Sequence, residues 1–292
     1  MIDYDMPLYR PPSEGNNLII QATLGCSFNQ CSFCSMYKSK SYLARPQPAV
    51  FADIERAAAA WPDARRVFLA DGDALALTSA ELSAILACLR RAFPGLNRVS
   101  CYATPANIRR KSLDELQRLR AQGLSLLYLG IESGSNLILR KITKGATRHS
   151  IGEAMRKAMD AGFKLSSTVI LGLGGGRYWQ RHIDGTLELL NDAPTSYLST
   201  LQLFLEPVVE REFMRKFGEP FEPQDDRAIL LEQARLIDGL DPPAPLIFRS
   251  NHASNALALA GNLPRDREML LAGIRRALRS AEGIRPDYLR GL

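Results

Sequence analysis

The chain has 292 residues, 46% of them hydrophobic and 23% charged. That is enough for one large α/β domain with a generous core, or for two small ones. No apolar run approaches the roughly 18–20 residues that span a bilayer. The acidic start Met1-Ile2-Asp3-Tyr4-Asp5 lacks the hydrophobic stretch of a secretory signal, so a cytoplasmic location with no membrane partner is expected. The formal charge of +6 is compatible with anionic substrates or RNA but demands neither. Arg and Lys crowd residues 109–120, 140–148 and 265–290, where solvated faces of amphipathic helices account for them. Nucleic acid is therefore a possible partner that nothing in the sequence singles out.

Residues 1–16 read as an irregular lead-in, broken by Pro7, Pro11 and Pro12. A regular alternation follows. A strand is expected over 18–24, a helix over 49–61 and a strand over 66–71. Thr78 caps a helix running to about residue 93, and Glu81 completes a capping box. A strand over 97–103 precedes a helix from Ser112 to 122, with Glu115 again at the third position. Then come a strand over 124–132, helices over 136–142 and 150–161 (the second stopped by Gly162), a strand over 164–171, a helix over 178–191 and a strand over 196–205. Six strands alternating with helices make successive parallel βα units. Right-handed crossovers wind these into an open barrel or a doubly wound sheet. After Glu206 the pattern changes to Pro-rich turns (Pro220, Pro223, Pro242, Pro243, Pro245) around helices near 224–240 and 266–281. The expected division is a lead-in over 1–16, a core over 17–206 and an extension over 207–292 packed on the same domain.

Five cysteines are present, and three of them lie within residues 26–34. An odd, clustered set does not suit a secreted disulfide framework; in a reducing cytosol it points to a metal site. The stretch Gly25-Cys26-Ser27-Phe28-Asn29-Gln30-Cys31-Ser32-Phe33-Cys34 follows the first strand directly, and βα folds place their chemistry at the C-terminal ends of strands. Three thiolates can wrap a cubane iron–sulfur cluster and leave one iron open to a small chelating molecule. The alternative is a zinc knuckle or a buried, reduced cysteine cluster. A structural zinc takes four protein ligands. Cys88 on an amphipathic helix, and Cys101 on the strand face of Val99 and Ala103, do not supply a convincing fourth.

These residues resemble the radical S-adenosylmethionine (SAM) superfamily. Its motif is C-x3-C-x2-C with an aromatic residue before the last cysteine. Here the spacing is C-x4-C-x2-C, one residue longer, with Phe33 in the aromatic position. The resemblance spans about residues 17–206 and leans toward oxygen-independent coproporphyrinogen oxidases and tRNA methylthiotransferases. It implies an α/β fold: a partial (βα)6 TIM-like barrel of parallel strands with a mainly helical C-terminal extension. It also implies a [4Fe-4S] cluster held by Cys26, Cys31 and Cys34, with SAM chelating the open iron through its amino and carboxylate groups. An electron from the reduced cluster then breaks the C5′–S bond, and the 5′-deoxyadenosyl radical takes a hydrogen atom from a substrate. Phe33 and the apolar strand ends would keep water out.

The resemblance extends to further positions. Asp71-Gly72-Asp73 stands where the superfamily has a Gly-Gly-Glu-like motif touching the SAM amino group. Gly72 permits close backbone approach, and a plain Asp-Gly turn is the alternative. Arg98, Ser100, Tyr102 and Thr104 alternate onto one strand face, which is costly inside a barrel unless it meets a ligand or a polar network. Tyr102 is thus a candidate for the cofactor or substrate pocket, or else a core tyrosine. The segment Gly130-Ile131-Glu132-Ser133-Gly134 is similar to one near SAM in those enzymes, which puts Glu132 and Ser133 at the ribose or amino group. Arg140 or Lys144 would reach the SAM carboxylate, against a solvent-facing alternative. Ile170 and Gly172 align loosely with a G-x-I-x-G-x-x-E motif, and the run to Gly176 is expected as a backbone wall against adenine. That run is neither a Rossmann fingerprint nor a P-loop. In the tail, Ser250-Asn251-His252-Ala253-Ser254-Asn255 reads either as a satisfied turn network or as a substrate-facing lid, with His252 a candidate for proton exchange. The implied partners are a small-molecule or unidentified substrate and an electron donor such as flavodoxin or ferredoxin. The rivals are a non-catalytic iron–sulfur or zinc protein that binds RNA through basic helices and, among enzymes, SAM cleavage at another carbon. No second cysteine triad is present to support methylthiotransfer.

Overall fold

The computed structural model describes residues 2–290; Met1, at the start of the expected lead-in, and the last two residues of the expected extension lie outside that range. In chain order the elements are β1 (Leu18–Gln21), β2 (Thr23–Leu24), β3 (Leu43–Ala44), α1 (Gln47–Ala60), β4 (Arg66–Ala70), α2 (Ser79–Ala92), β5 (Arg98–Ala103), α3 (Pro105–Arg110), α4 (Leu113–Ala121) and β6 (Leu124–Glu132). They continue with α5 (Asn136–Lys141), α6 (Arg148–Asp160), β7 (Lys164–Leu171), α7 (Gly175–Asp192), β8 (Tyr197–Gln202), α8 (Pro207–Phe217), α9 (Asp226–Gly239), β9 (Leu246–Ser250), β10 (Leu259–Leu263) and α10 (Arg267–Ser280). The large sheet has eight strands in the order β1-β4-β5-β6-β7-β8-β9-β10, and β2 with β3 forms a separate short ribbon. Among the described residues, no helix is long and apolar enough to cross a membrane.

Two compact units divide the chain. The first holds residues up to Asn29, Cys34–Leu129 and Lys157–Leu165; the second holds Gln30–Phe33, Gly130–Arg156 and Ser166 onward. In the first unit β1, β4, β5 and β6 pair in parallel. Their residues are buried on both faces, as parallel strands under helices require: Ile20, Val67, Phe68, Leu69, Val99 and Leu127 are shielded from solvent. Both expected capping boxes form. Thr78 and Glu81 exchange side-chain and backbone hydrogen bonds at the start of α2, and Ser112 and Glu115 do so at α4.

The polar face of β5 finds a protein partner in the lead-in. Glu14 is fully buried and accepts from Arg98 Nη2 at 2.9 and 3.0 Å, from Ser100 Oγ at 3.0 Å and from Tyr128 OH at 2.5 Å. A buried carboxylate is tolerated when paired and hydrogen-bonded in this way. Thr104 leaves that face to cap α3, accepting from Asn107 N at 3.2 Å.

The second unit departs from the expected pattern in three places. First, α7 begins at Gly175, so part of the glycine run expected as a loop is the first helical turn. Second, α8 was not anticipated, although Pro207 at its start and Gly218 in the left-handed region past its end are ordinary helix boundaries. Third, the tail adds two strands beyond the six expected. Strand β9 pairs in parallel with β8, and β10 returns antiparallel to β9. The segment between them is pinned by a buried polar network. Asn255 Nδ2 donates to Thr200 O at 2.7 Å and to Ser250 Oγ at 2.9 Å, and Asn255 Oδ1 accepts from Gln202 N at 2.7 Å. Gln233 of α9 donates to Ser250 Oγ at 2.6 Å. Helix α9 also lies along α7, where Arg235 pairs with Asp184 at 2.7 Å.

Candidate functional site

In the first unit, the cysteine loop leaves β2 through Gly25, whose φ of +66° favours glycine. Gly72 then lets the chain after β4 pass against this loop: a Cβ there would lie 2.4 Å from Gly25 O and 2.5 Å from Cys26 Cα. On either side of Gly72 the carboxylates grip the loop backbone. Asp71 Oδ2 accepts from Gly25 N at 3.2 Å and pairs with Lys40 Nζ at 3.2 Å. Asp73 accepts from Ser27 N at 2.9 Å, from the Ser27 hydroxyl and from Asn107 Nδ2 at 2.8 Å. Both aspartates are fully buried. Burial pushes both carboxyls above the ordinary range, although for Asp71 the Lys40 ammonium and for Asp73 the Ser27 donors pull the other way. The expected Asp71-Gly72-Asp73 motif therefore meets the residues flanking Cys26.

In the second unit, the stretch Gln30–Phe33 is held at three points. Ser32 N donates to Ile142 O at 2.9 Å, and Lys216 Nζ donates to Gln30 O at 3.2 Å. The Phe33 ring packs on a core of Ile138, Ile142, Ile170, Leu173, Phe213 and Phe217. Phe33 and Ile170, both expected at the cofactor, thus share one apolar cluster. Cys26, Cys31 and Cys34 form no disulfide and are partly buried. Cys88 and Cys101 are free and buried, and burial pushes the Cys101 thiol up to about 12, a protonated and inert state. Among the described residues, no three His, Cys, Asp or Glu side chains form a ready-made metal cage. The fit of a cluster therefore rests on donor type, three soft thiols on one anchored loop.

The ends of β6 and β7 carry the other expected positions. Glu132 has φ +60°, and its carboxylate folds back over Gly130, where a Cβ would stand 2.1 Å from Oε1. There it pairs with Lys144 Nζ at 2.9 Å, both side chains nearly buried. The structure so joins two residues expected to meet the cofactor separately. Arg140 is exposed on α5. Ser133 is fully buried, and its hydroxyl lies 2.7 Å from His182 Nδ1. The opposite ring nitrogen, Nε2, lies 3.0 Å from Ile170 O. A carbonyl can only accept, which assigns the proton to Nε2 and leaves Nδ1 to accept from Ser133. Glu232 of α9 is fully buried as well. Its Oε1 accepts from Gly172 N at 2.9 Å and lies 3.5 Å from His182 Nε2. Burial lowers the His182 pKa to about 4 and raises that of Glu232 to about 7.

Tyr102 packs edge-on against Phe68 at 5.2 Å and Tyr128 at 6.0 Å between ring centroids. Burial pushes its phenol well above the usual tyrosine range. His252 sits in a tight turn, where Nδ1 accepts from Ser254 N at 3.1 Å and lies 2.8 Å from Ser254 Oγ. Burial, and then the Arg285 guanidinium, lower its pKa. Sequence reasoning missed His182 and Glu232. The available signal was a histidine, a glycine and a threonine (His182, Gly185, Thr186) on the buried face of α7 beside Ile183, Leu189 and Leu190.

A family model described as the radical SAM superfamily matches residues 20–189. Heme chaperone HemW of Bacillus subtilis is 22% identical over 173 residues, covering 59% of this chain and 45% of HemW. The match thus spans less than half the length of that relative. Among solved structures, coproporphyrinogen III oxidase (HemN) from Escherichia coli aligns with a TM-score of 0.58 and 19% identity over 76% of this chain and 52% of its own. Methylornithine synthase (PylB) aligns with a TM-score of 0.55 and 14% identity over 88% of this chain and 68% of its own. At these identities the likeness concerns the fold, which falls in the partial TIM-barrel class of those proteins.

Proposed function

This chain belongs to the radical SAM superfamily, and on that premise we propose that Cys26, Cys31 and Cys34 hold a [4Fe-4S] cluster at which SAM is cleaved reductively. The observation that carries this reading is the cysteine loop: three partly buried thiols, none in a disulfide, on a stretch whose backbone is held by Asp71, Asp73 and Ser32 contacts. When bound, the cluster and SAM supply one-electron cleavage of a carbon–sulfur bond and a carbon radical that starts chemistry on a substrate. The protein binds, orients and excludes water. Phe33, packed on the Ile138 and Phe213 cluster, is the residue this reading assigns to keeping water from the bound cluster. The Lys144 to Glu132 pair presents a cation and a carboxylate suited to the carboxylate and amino groups of SAM. Ile170 and Gly172 form a backbone wall for the adenosine to pack against. Asp71, Gly72 and Asp73 hold the loop in place for the cofactor's amino group, and Tyr102 is the candidate for contact with cofactor or substrate. Arg140, exposed on α5, is the second candidate for the SAM carboxylate.

The reading also places the protein in a reducing cytoplasm, acting on a small molecule with electrons from a flavodoxin- or ferredoxin-like donor. It keeps residues 17–206 as the catalytic core and 207–292 as its extension, with the His252 turn on the substrate side. The test is anaerobic reconstitution with iron and sulfide, reduction, addition of SAM and identification of the nucleoside product. About four irons and four sulfides per chain and 5′-deoxyadenosine are expected. A different nucleoside product assigns cleavage to another carbon. Stoichiometric zinc without labile sulfide refutes the proposal.

A further inference from the structure

Helix α7 meets the end of β6 with almost no space between backbones. A Cβ on Gly134 would lie 2.0 Å from Gly185 O, and one on Gly185 would lie 2.9 Å from Ser135 N. The same helix supplies polar partners for that turn. Thr186 Oγ1 accepts from Gly134 N at 2.9 Å and donates to His182 O at 2.7 Å. One helical turn earlier, His182 reaches Ser133 with Nδ1 and the Ile170 carbonyl with Nε2. Glu232 then holds Gly172 N from the other side. The side chains of Ser133, His182, Thr186 and Glu232 are all buried, and their backbone partners fix the direction of these bonds. Ser133 Oγ also accepts from Ser135 N at 3.0 Å, so its proton is left for His182.

The two strand ends tied together are those with unusual backbone. Glu132 at φ +60° carries a non-glycine side chain in the left-handed region, and Gly172 sits at φ +88°. Left-handed backbone at a non-glycine residue is strained and persists only where its surroundings over-determine it. The over-determining groups here are His182, Thr186 and Glu232.

We infer that His182 is a positioning residue, resting on the superfamily reading above: it locks the ends of β6 and β7 into one rigid wall, so that the Glu132 carboxylate and the Gly172 backbone are set in advance for SAM. The histidine is fully buried. It acts through Ser133 and Ile170, and it does so as a neutral ring that accepts at one nitrogen and donates at the other. Preorganisation of this kind raises affinity by cutting the ordering cost of binding. Its loss should therefore show in SAM binding rather than in cluster assembly.

The experiment compares wild type, His182→Leu, His182→Gln, Thr186→Val and Asn191→Ala, each reconstituted anaerobically. Iron and sulfide are counted first, and SAM affinity is then measured by equilibrium dialysis. His182→Leu should keep its iron while its dissociation constant for SAM rises at least tenfold. His182→Gln, which retains a donor for the Ile170 carbonyl, should recover part of that loss. Thr186→Val should weaken SAM binding in the same direction. Asn191→Ala breaks the bonds to Gly239 O and Asp241 N elsewhere in the same unit and should shift SAM affinity less than twofold, which separates positioning from general loss of stability. SAM affinity unchanged in His182→Leu overturns the inference while leaving the superfamily reading intact. Loss of iron in both histidine variants also overturns it, by showing that the residue supports the whole chain. Failure of reconstituted wild type to bind SAM sinks the superfamily reading itself, and this inference with it.

Discussion

Gly72→Ala tests how tightly the cysteine loop is held. The added Cβ would stand 2.4 Å from Gly25 O, 2.5 Å from Cys26 Cα and 2.7 Å from Cys26 Cβ. Non-bonded carbon contacts settle at about 3.5–4.0 Å, so the loop must retreat by roughly 1 Å. The atoms met are backbone or the first side-chain carbon, and no change of rotamer clears them. Overpacking a well-packed site costs about 1–3 kcal/mol. The retreat also stretches the Gly25 N to Asp71 and Ser27 N to Asp73 hydrogen bonds, now 3.2 and 2.9 Å, each with a net value of about 1 kcal/mol. A loss of about 2–4 kcal/mol is therefore expected, measured as the urea midpoint of the cluster-free protein. Iron and sulfide after anaerobic reconstitution should fall below about half the wild-type content, because Cys26 moves with the loop. Gly95→Ala is the control, since a Cβ there meets nothing within 4 Å. Wild-type iron content together with an unshifted midpoint in Gly72→Ala would refute the steric argument.

Alanine at Cys26, Cys31 or Cys34 should abolish the iron signal, whereas alanine at the buried Cys88 or Cys101 should leave it; elemental analysis of the five variants decides this. Asn255→Ala removes the partners of Gln202 N and Thr200 O and should cost about 2 kcal/mol for the backbone groups left unpaired, read by chemical denaturation; a change near zero would mean that water takes over both bonds. The Glu232 carboxyl, raised to about 7 by burial, binds its proton more tightly folded than unfolded. Its support for the fold is complete below the ordinary glutamate pKa and is lost as pH rises through about 7. Wild type should accordingly lose stability relative to Glu232→Gln between about pH 5 and pH 8, and parallel stability curves over that interval would contradict the assignment.

What the sequence determined by itself was local. Strands β6 and β7 end where the apolar runs end, and α2 and α4 begin at their capping boxes, because periodicity and capping act over a few residues. The cysteine spacing and its place after the first strand are equally local, and they carried the superfamily resemblance. Only the tertiary structure decided where the polar groups find partners. Glu14 meets Arg98 and Tyr128 across 84 and 114 residues, and Asp73 meets Ser27 across 46. Strands β9 and β10 were hidden for the same reason: a short strand is stabilised by its neighbour's hydrogen bonds, and β9 has its register from β8. His182 and Glu232 were invisible as a pair because they sit on different helices, α7 and α9, and become neighbours only when both pack beneath the end of β7. A buried polar side chain is costly in isolation and acceptable once satisfied, and the satisfying groups come from distant parts of the chain.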